Sequence, residues 1–293
     1  MKKIIHDCDC TFGINGCDVD DGLALLYLLG DPEAEVLGVT TTYGNSTIED
    51  VYPNTVRFLK QIGREDIPIY EGGAGPEESD SEAARCLAEM ARVHAGELEL
   101  LVTGSVTNLY GAYKINPDFF KQLKQIVFMG GITEPLIFAK KEMDELNFSC
   151  DPLATFTALT SETEVAVITG NNCLKVLFTR EEYEREFGDA AKDVVKFIKK
   201  ETDYWFDNNM DEYGIPGYYN WDVIAAAYLM HPELFITESE SFDLTVEDLT
   251  RGKLTKGKEK NNATLKIPAI ADADTFCKNI YNTWLNVEFG AVK

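Results

Sequence analysis

Asp7, Asp9, Asp18, Asp20 and Asp21 all fall within the opening stretch MKKIIHDCDCTFGINGCDVDDGLALLYLLG. Asp7 and Asp9 follow the apolar pair Ile4-Ile5. The other three precede an apolar run, Leu23–Leu29, that stops at Gly30. The first apolar run has strand length, and the second has helical length with a glycine stop. The carboxylates therefore converge where a strand ends and the next helix begins. A helix N-terminus eases one or two negative charges, at roughly 0.3–1 kcal/mol each. It does not neutralise the whole group. Carboxylates packed together raise their pKa or gather a cation. A hard divalent ion with oxygen ligands is the simplest way to keep them ionised.

The rest of the chain supplies the elements that must position these acids. Val36–Thr42 is rich in β-branched residues and reads as a buried strand ending in Tyr43-Gly44-Asn45-Ser46. A helix is expected from about Ile48 to Ile62, then a short strand at Ile67–Tyr70 and a helix at Glu82–His94. Leu98–Thr103 reads as a strand leading to Gly104–Asn108 and a helix. Ile126–Met129 is a strand ending in Gly130-Gly131, with a looser segment, Ile132–Asn147, after it. Pro152 follows Asp151 at the first position of another helix. Val165–Thr169 is a strand ending in Gly170-Asn171-Asn172. A long helix over about 190–208 ends in an aromatic, polar run. Trp221–Met230 is a small-residue helix. Asp243–Val246 and Ala263–Ile267 look like strands, and the last helix spans about Asp272–Val287.

Alternating strands and helices imply an α/β fold: a mostly parallel open sheet with helices on both faces. In such sheets ligands sit at the carboxyl ends of the strands. The acidic cluster, Asn45, Thr107, Gly130-Gly131 and Asn171 all fall there. No linker, repeat or low-complexity segment interrupts the chain, so one domain over residues 1–293 is expected.

The formal charge is −23, from 27 basic and 50 acidic residues. Nucleic acid and anionic membranes need a basic face and are disfavoured as partners. No run of about 18 apolar residues suggests a membrane span. The start of the chain does not read as a signal peptide, and the cytoplasm is the expected compartment. The seven cysteines lack a CxxC spacing and suit reduced thiols rather than a disulfide or zinc framework.

Two families begin with a strand ending in Asp-x-Asp. Asp7-Cys8-Asp9-Cys10-Thr11 resembles the nucleophile motif of haloacid dehalogenase-like phosphatases, which would make Asp7 the nucleophile and Asp9 the acid/base beside magnesium. The resemblance to the inosine–uridine-preferring nucleoside N-ribohydrolases runs through nearly the whole chain. It is carried by Asp7-x-Asp9 with Asp20-Asp21-Gly-Leu-Ala-Leu, and by LGVTTTYGN at 37–45. Gly104–Asn108, FMGG at 128–131 and Glu145-Leu146-Asn147 with Asp151-Pro152 continue it. Asn220-Trp221-Asp222 and Thr250–Thr255 complete it.

That resemblance implies hydrolysis of the N-glycosidic bond of a nucleoside to free base and ribose, with a calcium ion at the site. Carried over by position, the ligands are Asp9, Asp21, the carbonyl of Thr107, and Asp222. Asp9 is also the implied general base. Asp20, Asn45, Glu145 and Asn147 are implied to hold the ribose hydroxyls, with Trp221 beside the base. Relatives are commonly dimers or tetramers, so a homo-oligomer is expected. A relative that binds a nucleoside or ribose without turnover is the other alternative.

Three departures from the family pattern stand out. The segment between Asp9 and Asp20 is about seven residues longer than the usual tight turn, and Gly13 and Gly16 make such a loop feasible. Trp221 stands where many relatives place a histidine that protonates the base. A general acid is worth roughly 10²–10⁴-fold, more than stacking alone supplies; some purine-specific relatives carry Trp here and ease protonation of the base by stacking, so the resemblance implies a lean towards purines. The segment FAKKEMD before Glu145 lacks the pattern that many relatives use to hold the ribose 5′-hydroxyl, so 5′-modified nucleosides are plausible substrates.

Overall fold

The computed structural model describes residues 1–188 and 191–290. Its strands are β1 (Lys2–Cys8), β2 (Ala34–Thr41), β3 (Ile69–Tyr70), β4 (Leu98–Val102), β5 (Gln125–Met129), β6 (Leu136–Ile137), β7 (Glu142–Met143), β8 (Val165–Ile168), β9 (Phe235–Phe242) and β10 (Ala263–Ile270). The helices are α1 (Asp20–Gly30), α2 (Ile48–Gln61), α3 (Glu82–Val93), α4 (Thr107–Ile115), α5 (Phe119–Gln122) and α6 (Pro152–Leu159). They continue as α7 (Gly170–Cys173), α8 (Arg180–Phe187), α9 (Asp193–Glu212), α10 (Trp221–Met230), α11 (Val246–Leu249) and α12 (Ala273–Leu285).

Eight strands form one sheet in the order β3-β2-β1-β4-β5-β8-β10-β9. All neighbours are parallel except the β10–β9 edge pair. Crossover helices cover both faces, as the alternation of elements requires. One face buries Leu23 and Leu26 of α1, Ala225 of α10 and Ile280 of α12. The other buries Leu87 of α3, Leu109 of α4 and Ala158 of α6. Helix α10 is buried from Asp222 to Met230, which explains its lack of a polar stripe.

The short helices α5, α7, α8 and α11 are not expected from the sequence, and two further parts differ from the sequence reading. The edge strand is Phe235–Phe242, not Asp243–Val246. Its sequence FITESESF looks like a loop because an exposed edge strand tolerates charge along its length. Asp243 instead ends the strand and accepts the main-chain N–H groups of Lys258, Glu259, Lys260 and Asn261. Those donors hold its carboxyl down to about 2. The looser segment at 132–147 contains a two-stranded hairpin, β6–β7. The Lys140 ammonium of its turn donates to the carbonyls of Met210 and Asp211, both at 2.7 Å. A lysine thereby satisfies the open carbonyl end of α9. None of the described helices is long and apolar enough to cross a membrane.

Candidate active site

The centre of the sheet puts the acids where the sequence reading places them. β1 runs between β2 and β4, with Asp7 paired to Thr40 and Val102. The Asp7 carboxylate turns into the protein. Its Oδ2 accepts from the Thr40 hydroxyl at 2.6 Å and from Asn108 Nδ2 at 2.9 Å. Burial pushes its pKa up to about 7 despite those two bonds. A fully buried carboxylate bonded on its inner side is not a nucleophile for an incoming phosphate, which removes the phosphatase reading.

Asp9 leaves the end of β1 and meets the turn after β2. Its Oδ2 accepts the main-chain N–H of Asn45 at 2.5 Å, and Oδ1 accepts Asn45 Nδ2 at 3.3 Å. A Cβ on Gly44 would stand 2.0 Å from Oδ2, so this close approach requires glycine. Burial pushes the Asp9 pKa up to about 6. Asn45, implied as a sugar contact, is thus also the residue that holds Asp9.

Asp20 and Asp21 open α1, and Asp222 lies in the first turn of α10. Ligand oxygens of these three lie within 4.8 Å of one another. Asp20 Oδ2 accepts the Asp222 main-chain N–H at 3.1 Å, and Asp21 Oδ1 accepts the Thr103 hydroxyl at 2.6 Å. Burial lifts Asp21 and Asp222 well above the usual carboxylate range. The charges of their acidic neighbours add to the lift. Those pressing on Asp222 belong to Asp20, Asp21, Asp9 and Asp18.

This donor set fits a hard cation. It consists of carboxylate oxygens at two helix N-termini, mutually repelling and without a cationic side chain among them. A second trio, His6, Cys8 and Asp21, is equally close. Its chemistry suits a metal poorly, because burial and nearby acids raise the Cys8 thiol pKa well above normal.

Thr107 is not with this group. Its hydroxyl donates to Asp151 Oδ2 at 2.8 Å and lies 2.9 Å from that of Ser105 and 3.0 Å from that of Tyr43. Thr103, at the end of β4, bonds Asp21 and lines the cavity in its place. Two threonines four residues apart in one turn left the sequence without a way to choose. The pairing of β1 with β4 brings Thr103 to the cavity, because it follows the strand end next to Asp7.

A cavity of ≈ 260 Å³ opens over the cluster. Asp20, Asp222, Asn45, Glu145, Asn147 and Trp221 all border it. Glu145 is fixed by three main-chain donors: Gly131 at 3.0 Å, Phe148 at 2.8 Å and Ser149 at 2.9 Å. Asn147 Nδ2 donates to the Met129 carbonyl at 3.0 Å. Trp205, Asn209 and Tyr213 of the α9 end also line the cavity, as do Leu136 and Met143 of the hairpin. The sequence signal for this wall was the aromatic run at 204–219.

The long loop after Asp9 brings Gly16, Cys17 and Asp18 to the rim. Donors from two helices fasten it. Asn54 Nδ2 donates to the Cys10 carbonyl at 3.0 Å, and an Arg57 nitrogen donates to that of Phe12 at 2.7 Å. The Tyr204 hydroxyl donates to that of Cys17 at 3.0 Å. The Phe12 ring packs 5.1 Å from Phe58 and 5.7 Å from Phe197.

Known proteins resemble this chain along nearly its whole length. A probable uridine nucleosidase 2 of Arabidopsis thaliana is 26% identical over 95% of this chain and 96% of its own length. The pyrimidine-specific ribonucleoside hydrolase RihA of Salmonella typhi is 27% identical over 87% of this chain and 86% of its own. In structure, a plant nucleoside hydrolase superposes with a TM-score of 0.85 at 20% identity, covering 97% of this chain and 98% of that one. A purine-preferring ribonucleoside hydrolase from Gardnerella vaginalis gives 0.82 at 23% identity, covering 98% and 99%. The sequence profile of the inosine-uridine preferring nucleoside hydrolases matches residues 4–278. The chain belongs to that family, and it is a glycosidase acting on N-glycosyl compounds.

Proposed function

We propose that the protein is a calcium-dependent nucleoside N-ribohydrolase whose single catalytic domain spans the chain. The observation that carries the reading is the cavity itself. Carboxylates from two helix N-termini border it together with the aromatic side chains of Trp205, Tyr213 and Trp221. Asp9, Asp21, Asp222 and the carbonyl of Thr103 would hold the ion. When bound, calcium supplies oxygen coordination to the ribose hydroxyls and lowers the pKa of a water.

The chain's own groups do the rest. Cleavage of an N-glycosidic bond develops positive charge on the sugar, and buried carboxylates stabilise it. Asp9, fixed by Asn45 and shifted towards neutrality, takes the proton of the attacking water at its carboxylate. Asp20, Glu145 and Asn147 grip the ribose hydroxyls. Glu145 is held still by its three amide donors, so its placement costs little on binding. The aromatic faces favour a large π surface and incline the site towards purines. Leu136 and Met143 make part of the wall apolar, which suits nucleosides modified at C5′.

Reducing-sugar release from a panel of purine, pyrimidine and 5′-deoxy nucleosides, with calcium present, tests the reading. Turnover that vanishes in Asp9→Asn and on chelation is expected. Silence across the panel, including activated ribosides, ends it.

A further inference from the structure

His6 is out of place in β1. The strand lies inside a parallel sheet covered on both faces, where side chains are normally apolar. Its register partners are Val39 of β2 and Leu101 of β4. By the alternation of the strand it shares a face with Ile4 and Cys8, which pack with Leu23 and Leu26 of α1. The ring is fully buried, and its Nδ1 finds no hydrogen-bond partner among the described residues. A buried polar atom left unpaired costs stability. An aliphatic residue would avoid that cost, so packing alone gives no reason for a histidine.

The other ring nitrogen does have a partner, and that partner belongs to the cation site. Nε2 lies 2.8 Å from the Thr103 hydroxyl. The same hydroxyl lies 2.6 Å from Asp21 Oδ1, and an ionised carboxylate only accepts. The single hydroxyl proton therefore goes to Asp21, and Oγ1 takes its other bond from the ring. Nε2 carries the hydrogen, and Nδ1 is the bare nitrogen left over. The result is a one-way chain, N–H to O–H to carboxylate, that ends on Asp21. Each bond polarises the next, and the last is charge-assisted. The main chain of Thr103 is tied to the same strand, since its N–H donates to the Asp7 carbonyl at 2.8 Å. Thr103 is thus held twice, by β1 at its main chain and by His6 and Asp21 at its side chain.

We propose that His6 is a positioning residue for the cation: through the Thr103 hydroxyl, its Nε2–H holds the Asp21 carboxylate and the Thr103 main chain in the arrangement that takes calcium. The inference rests on the calcium-dependent reading of the same site and adds the residue that tunes it. His6 acts through Thr103. Partners of this kind, one bond behind the ligands, are worth about 10–100-fold in metal affinity.

Calcium binding to the full chain without substrate, measured by isothermal titration calorimetry, reads the effect. His6→Leu should raise the calcium dissociation constant about 10–100-fold. The metal-free variant should melt no lower than the parent, because the unpaired Nδ1 is gone. His6→Gln, whose side-chain amide can still offer an N–H to Thr103, should recover most of the lost affinity. Thr103→Val keeps the main-chain carbonyl but cuts the chain, so adding His6→Leu to it should weaken binding no further. His6→Asn, too short to reach Thr103, takes the place of His6→Leu if that variant does not fold. Parent-like affinity in His6→Leu overturns the inference. So does a His6→Gln variant as weak as His6→Leu, or a further loss when His6→Leu is added to Thr103→Val, which would mean that His6 acts on the ion by another route. A metal-free His6→Leu that melts well below the parent returns the residue to a packing role and overturns it as well. A parent that binds no calcium removes the calcium reading and this inference with it. A parent that binds calcium and ignores the substitutions loses only the inference.

Discussion

The main-chain N–H of Asp222 donates to the Asp20 carboxylate at 3.1 Å, so the first turn of α1 caps the first turn of α10 across 202 residues of sequence. A side-chain cap of this kind is worth about 1 kcal/mol, but here it is bought with another buried charge. Asp20→Asn keeps an acceptor and removes the charge. At neutral pH without metal, that variant should melt about 2–4 °C above the parent, while its kcat/KM with calcium drops at least about 100-fold for loss of the sugar contact. A lower melting temperature in the metal-free variant would show that the charged cap stabilises more than the repulsion costs.

The acidic cluster sets a pH dependence of definite sign. Asp9 and Asp7 are raised to about 6 and about 7 in the fold, from a normal value of 3.8. Burial and neighbouring carboxylates also raise Asp21 and Asp222 well above the normal value. A carboxyl raised by folding stabilises the fold below its unfolded pKa, and that stability is lost as pH rises through the folded value. Metal-free protein should therefore lose melting temperature steadily from about pH 5 to pH 8, and millimolar calcium should restore most of it at the upper end. Differential scanning fluorimetry across that range, with and without chelator, decides the matter. A melting temperature that rises with pH in chelator contradicts it.

His6 acts in the opposite direction. Burial depresses its pKa from 6.5 to about 3. The unfolded chain takes up a proton that the folded chain refuses, so this residue removes stability as pH falls from about 6.5 towards 3. Between pH 7 and pH 4.5, the unfolding free energy of His6→Asn should gain on the parent by about 2 kcal/mol. Denaturant unfolding at the two pH values measures the difference, and parallel curves would refute the assignment.

Trp221 opens α10 and borders the cavity, with its ring centre 5.1 Å from that of Tyr219. Trp221→His places a titratable nitrogen there. It should raise kcat/KM for inosine relative to p-nitrophenyl riboside by at least about tenfold. If the inosine ratio does not move, position 221 does not face the leaving nitrogen.

Gly252 adopts φ +60°, and a Cβ on it would sit 1.9 Å from Glu145 Oε2. Gly252→Ala therefore both strains the backbone and displaces a carboxylate held by three amides. A loss of about 1–3 kcal/mol in stability should accompany a raised KM, with kcat less affected. Unchanged KM would mean that Glu145 does not contact the sugar.

The fold was readable because its signals are local. Buried β-branched runs such as Val36–Thr42, and the apolar helix behind Trp221, name their own element. Edge strand β9 escaped because its exposed positions carry Glu and Ser, which hide the period-2 pattern. Asp9, Asp20, Asp21 and Asp222 could be grouped from motif order alone. The choice of Thr103 over Thr107 depends on the register of β1 against β4. That Asn45 braces Asp9 depends on a loop approach that needs Gly44. Such facts are tertiary, and no spacing rule encodes them.

The extended turn after Asp9 is held by donors from outside it: Asn54 and Arg57 on α2, and Tyr204 on α9. Cutting it back to a tight turn would strand those donors and uncover Phe58 and Phe197, where Phe12 now packs. Grafting the loop alone into a relative would give it nothing to grip. The turn, the middle of α2 and the start of the aromatic wall on α9 therefore have to be transplanted as one cassette.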